Sequence, residues 1–179
     1  MLYITIPKVT GWDEKNEEFV DMKEQTLKLE HSLVSLSKWE SKWHKSFLST
    51  QDKTTEEILD YIRCMTLTQN VKPEVYNRLT KKNIEEINKY IEDPMTGTYF
   101  SETKSSSKRE IVTSELIYYW MISLNIPMEC QKWHLNRLLT LIRVCNIKNQ
   151  PSKKMSRNEI MSRNAALNAA RRKKLNSKG

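Results

Sequence analysis

Glycine is scarce in this chain. Its 179 residues contain only Gly11, Gly97 and Gly179, together with five prolines, so few positions force a turn or let the backbone close around a phosphate. No GxGxxG, phosphate loop or HExxH occurs. The shortage of turn residues favours helices over a many-stranded sandwich. Cysteine is equally sparse: Cys64, Cys130 and Cys145 are odd in number and lie in apolar helical patterns rather than a close-set framework, which fits a reducing cytoplasm. No run of 18 apolar residues exists. The segment Met1 to Ile6 has no basic region leading into an apolar stretch, so the chain reads as neither secreted nor membrane-spanning.

Signatures of catalysis and metal binding are also thin. Cys130 and His134 are four apart, a spacing that on a helix turns two ligands toward one zinc ion. A structural site needs two more ligands, and neither a second Cys-His pair nor a C-x-x-C is present. A packed cysteine beside a hydrogen-bonded histidine is the expectation, with no metal and no cofactor. Cys130 could join His31, His44 or His134 in a triad only if a fold were assumed, and no nucleophile-elbow glycine pattern supports one. The acidic pairs Glu56-Glu57 and Glu85-Glu86 suit a helix start and a solvated helix face. The chain does not read as an enzyme.

Charge is present and unevenly placed. Thirty Lys and Arg against 22 Asp and Glu give +8 overall. From Pro151 onward nine cations face the single acid Glu159, a balance of +8, which leaves 21 of each sign in residues 1–150. The body is neutral and the tail 151–179 holds the excess. That split argues against a body built to track phosphates, while the tail suits an acidic protein or a nucleic acid.

Five Trp, seven Tyr and three Phe supply core volume for a domain over residues 1–150. Alternation in Leu2–Ile6 and Gln25–Glu30, with the polar Gly11–Glu18 between, predicts a small antiparallel β element within residues 1–30 that packs on helices. Helices follow over 32–92. The first is capped by Ser32 and carries Leu36, Trp39, Trp43 and Phe47 on one stripe to about residue 47. The next opens on a capping box of Thr54 and Glu57, a short third has Pro73 in its first turn, and a fourth shows Ile84, Ile87 and Ile91 on one face. Asp93-Pro94 through Lys108, with Gly97 and Ser105-Ser106-Ser107, predicts a mobile loop.

The run Leu116–Ile122 has no polar face, so its helix is either enclosed on all sides or partly buried by a partner. Asn125-Ile126-Pro127 breaks it, and a stripe of Leu135, Leu138, Leu139 and Ile142 follows, which predicts a helical hairpin over 109–148 as the structural core. In the tail, Ser156 with Glu159 and the alanine-rich 164–170 favour a helix, but large apolar residues are too sparse to hold it without a partner. The fold class is therefore mainly α (α+β), with a basic C-terminal tail that is partly disordered or helical.

Four segments carry a family resemblance: Leu29–Trp43 (LEHSLVSLSKWESKW), Tyr61–Leu67 (YIRCMTL), Glu115–Ile122 (ELIYYWMI) and Trp133–Leu139 (WHLNRLL). With them the chain resembles the tail assembly chaperones of long-tailed, siphovirus-type bacteriophages. The resemblance implies a non-enzymatic protein of the host cell cytoplasm. Such a protein binds the tape measure protein, a very long helical polypeptide, keeps it soluble and helps tail-tube subunits assemble around it. The major tail tube protein is a further partner under this reading, and self-association is compatible with it.

Leu36, Trp39, Trp43, Phe47, Tyr118, Tyr119 and Trp120 are then the candidate client contacts. Arg171, Arg172, Lys173 and Lys174 would meet acidic stretches of client or tube protein. For the tryptophan stripe the competing assignment is simple core packing. Two other functional classes compete with the chaperone: a nucleic-acid-associated protein using the tail as an arm, and a structural virion component such as a connector subunit.

Overall fold

In a computed structural model of the chain, residues 1–13, 18–100, 111–150 and 156–176 are described. The fold is mainly α with a small N-terminal antiparallel β element. Two compact units divide the chain, residues 1–147 and 148–179.

Strands β1 (Leu2–Ile6) and β4 (Gln25–Leu29) pair antiparallel, with Leu2 opposite Leu29. Their alternation buries Ile4, Ile6, Leu27 and Leu29 on one side, as the period of two requires. The expected polar connection holds two further strands, β2 (Val9–Asp13) and β3 (Glu18–Met22), whose pairing of Val9 with Met22 continues the same register. The ribbon is thus one hairpin interrupted at 7–8 and 23–24, where Pro7 has no amide to donate. Arg78 Nη2 donates to the carbonyls of both Pro7 and Lys23 and ties the two sides of the break together. Residues 14–17, at the tip, lie outside the described residues.

The outer edge of β4 is covered rather than open. Glu30 N–H donates to the Met65 carbonyl, Leu67 N–H to the Lys28 carbonyl and Lys28 N–H to Thr68 Oγ1. The chain after the second helix therefore closes the ladder.

Helix α1 (Leu33–Trp43) begins at Ser32, which caps it in a box with Ser35. It stops four residues earlier than the stripe suggested, because His44 adopts a left-handed conformation at φ 53°. Helix α2 (Thr55–Met65) opens on the Thr54–Glu57 box, and Pro73 starts a 3-10 segment over Pro73–Arg78. Helix α3 (Lys81–Glu92) buries Ile87 and Tyr90, half-buries Ile84 and Ile91, and packs on β1. The expected loop has neither helix nor strand over 93–100, and its remainder, 101–108, lies outside the described residues.

Helices α4 (Ser114–Ser123) and α5 (Leu135–Asn149) are separated by residues 124–134, which include a 3-10 segment, Met128–Lys132. The expected hairpin is corrected at this point. The break at Asn125 is not a tight turn, and α4 and the 3-10 segment pack on α1, which also meets α2. The centre of the core is α1, because its buried Leu33, Leu36 and Trp39 are covered from several sides.

One carboxylate fixes this arrangement. Glu40, buried on α1, accepts the amide of Phe47 at 2.9 Å and that of Ser114 at 2.7 Å. The second bond places a negative charge at the N-terminus of α4, where unpaired amides and the helix dipole favour it. Ser46 Oγ adds a bond to the Val112 carbonyl at 2.6 Å.

In the second unit, helix α6 (Arg157–Leu175) is capped by the Ser156–Glu159 box and ends on Asn176 in the left-handed conformation. Every residue from Ser156 to Asn176 is exposed. A chain ending at residue 150 is therefore expected to melt within about 3 °C of the full chain, since exposed positions contribute little stability. Thermal unfolding followed by circular dichroism checks this, and a truncated chain already unfolded at room temperature would make the tail part of the core.

Candidate functional site

The stripe of Leu36, Trp39, Trp43 and Phe47 divides along its length. Leu36 and Trp39 have no exposed surface, whereas Trp43 and Phe47 are half-buried. Trp39 donates its indole N–H to the Glu57 carbonyl at 2.9 Å, and Trp43 donates to Asp60 Oδ2 at 2.9 Å. Phe47 meets Trp39 edge-on at 5.1 Å between centroids and stacks on Tyr61 at 3.8 Å. As client contacts, Leu36 and Trp39 are corrected: they are core, because α1 is enclosed by its neighbours. Lys42 and Lys45 form the rim over Trp43 by pairing with Asp60 and Glu57. The Lys45 ammonium and the Thr54 amide hold the Glu57 carboxyl below its ordinary range.

Behind the stripe runs a buried polar and aromatic chain. Tyr61 Oη and His31 Nδ1 share a hydrogen bond at 2.6 Å, and the His31 ring lies 5.1 Å from that of His134. His134 Nε2–H donates to the Tyr90 carbonyl at 2.9 Å, and Tyr90 Oη–H donates to Glu30 at 2.7 Å. Burial pushes His31 down to about 3, helped by His134, and burial likewise lowers His134. Burial raises the phenols of Tyr61 and Tyr90. All four rings are neutral near pH 7 and engaged in internal hydrogen bonds.

Cys130 and His134 do not share a helix. Cys130 is buried in the 3-10 segment, and His134 precedes α5, where it bridges to Ser32. Burial, then Glu129, pushes the Cys130 thiol up, away from the reactive thiolate. Among the described residues no three His, Cys, Asp or Glu side chains converge as a metal site. A shallow open depression is lined by Tyr3, Thr5, Asn83, Lys82 and Glu86. It holds none of the histidines or cysteines.

Helix α4 offers a different kind of surface. It buries Ser114, Ile117 and Met121 and turns Tyr119 and Ile122 outward, 63% and 66% exposed. Glu115, Tyr119 and Ile122 fall at i, i+4 and i+7 and therefore share a face. Tyr118 and Trp120 flank it half-buried, with Tyr118 Oη–H donating to Gln131 at 2.9 Å. Of the sequence-level candidates, the structure brings Tyr118, Tyr119 and Trp120 onto this helix and leaves them accessible. Ile122 joins them. Only its position one turn beyond Tyr119 signalled this, since an all-apolar run cannot tell its inner side from its outer.

Comparison with known protein families, curated proteins and solved structures finds no match for this chain.

In the second unit, Arg171, Arg172, Lys173 and Lys174 are exposed in the last turns of α6, where cations oppose the negative end of the helix dipole. Among the described residues no helix is long and apolar enough to cross a membrane.

Proposed function

We propose that this protein is a non-catalytic tail assembly chaperone that binds the tape measure protein in the host cell cytoplasm, keeps it soluble and hands it to tail-tube assembly. The observation carrying the proposal is the outward face of α4, where Tyr119 and Ile122 are exposed beside Tyr118 and Trp120. A long amphipathic helix needs such a surface: aromatic, half-embedded and therefore rigid, with an apolar strip at helical spacing. The four segments that resemble the chaperone family add support, and one of them is α4 itself.

The test is co-expression with the tape measure protein of the genome that encodes this chain. The client should be soluble with the chaperone and aggregate without it. A chain carrying Tyr119→Lys and Ile122→Lys should leave the client as insoluble as no chaperone at all. Its own melting midpoint should stay within about 2 °C, because both side chains are exposed. A client equally insoluble with and without the native chain would defeat the proposal.

A further inference from the structure

A helix with no polar face is ordinarily enclosed on all sides, and α4 is not. Successive helical residues turn by about 100°. Measured from Ser114, the buried Ile117 and Met121 lie at about 300° and 340°, so the direction toward α1 is near 330°. Outside that side lie Ile122 at about 80°, Tyr119 at about 140°, Leu116 at about 200° and Trp120 at about 240°. Ile122 and Tyr119 are mostly exposed, and Leu116 and Trp120 are half-buried. Tyr118, at about 40°, is already engaged by its bond to Gln131. The uncovered arc from Ile122 round to Trp120 therefore spans about 160°.

That width decides between partners. A single helix packed on α4 covers a stripe of about 100°, which leaves either Ile122 or the side of Leu116 and Trp120 in water. Two helices that touch each other and α4 form a triangle of nearly equal interaxial distances. Seen from α4 they stand about 60° apart and together cover about 160°. Tyr119 falls near the middle of the arc, where its ring points between them.

The α4 of a second copy of this chain does not suit the face. Glu115, exposed one turn before Tyr119, is the only charge on α4. A parallel copy would set it against its own counterpart, and an antiparallel copy would set it against Ile122 and Ser123. Neither supplies a cation, so the partner has to bring one.

We propose that α4 binds its client as a third helix laid in the groove between two client helices, with Tyr119 in the groove and a client Lys or Arg against Glu115. Ile122 meets one client helix, and Leu116, Trp120 and Ser123 meet the other. The proposal rests on the client reading of α4 and specifies the form of client that α4 recognises: a helical hairpin or a two-stranded coiled coil rather than a lone amphipathic helix.

The test uses the full chain co-expressed with the tape measure protein of its genome and reads the soluble client co-purified per chain. Ile122→Lys alone and Ser123→Lys alone should each lower it about tenfold, because they face different client helices. Both positions are exposed, so circular dichroism should show the native helix content for both variants. Leu116→Ala, which adds no charge, should lower it about threefold. Glu115→Gln should also lower it about threefold.

A client left insoluble by the native chain would defeat the client reading and this proposal with it. A client held soluble by the native chain and lost with Ile122→Lys, but unaffected by Ser123→Lys and Leu116→Ala, would leave the client reading standing and overturn the two-helix arrangement. An unchanged yield with Glu115→Gln would overturn the pairing assigned to that carboxylate.

Discussion

Trp39→Ala should lower the melting midpoint of this protein by about 6–20 °C, an estimate of about 3–5 kcal/mol converted at roughly 2–4 °C per kcal/mol for a chain of this size. Trp39 has no exposed surface and meets the rings of Trp43 and Phe47 at 6.2 and 5.1 Å. Its removal leaves a cavity at the centre of α1, the helix on which α2 and α4 pack. It also removes the indole N–H bond to the Glu57 carbonyl at 2.9 Å, which ties α1 to α2. Trp43→Ala should cost clearly less, because that ring is half-buried and its partner Asp60 keeps Lys42 at 2.5 Å. Thermal and urea unfolding of both variants decide the matter. If Trp39→Ala melted within 2 °C of the native chain, α1 would not be the centre of the core.

Mild acid should destabilise the fold before ordinary carboxylates take up protons. His31 sits in the folded state at about 3, against 6.5 when the chain is unfolded. A folded-state value below the unfolded one means that the unfolded chain binds the proton first. The stability linked to His31 is therefore complete above about pH 6.5 and is lost as pH falls through that value toward 3. Between pH 7 and 5 the loss from His31 alone is about 2 kcal/mol. His134 adds to it: burial lowers it too, and its Nδ1 has no acceptor to receive a second proton. Urea midpoints measured across this range should fall steadily. A His31→Gln chain, less stable at pH 7 because its bond to Tyr61 is altered, should show a flatter profile. A native chain equally stable at pH 5 and pH 7 would show that both imidazoles reach solvent.

The helix starts were legible because each depends on residues close in sequence. Ser32, Thr54 and Ser156 bond to amides three residues along, and Pro73 fixes its own φ, so the helices they open could be read directly. The strand pair was legible for the same kind of reason, since alternation over Leu2–Ile6 and Gln25–Leu29 is a local pattern. Helix ends were less so. A left-handed His44 carries no composition signal, and it ended α1 before Phe47, which returns to the stripe through its amide bond to Glu40.

The sequence by itself determined the mainly helical class, the capped helix starts, the paired N-terminal strands and the concentration of positive charge beyond Pro151, because periodicity, capping and charge are properties of neighbours along the chain. Only the tertiary structure decided which apolar residues are core. Trp39 and Tyr119 are both large, apolar-rich side chains on helices, yet one has no exposed surface and the other is 63% exposed. The difference arises because Glu40 reaches the N-terminus of α4 at Ser114, 74 positions away, and fixes which side of α4 faces α1. Long-range packing of that kind sets burial by where elements meet, and no local pattern encodes it.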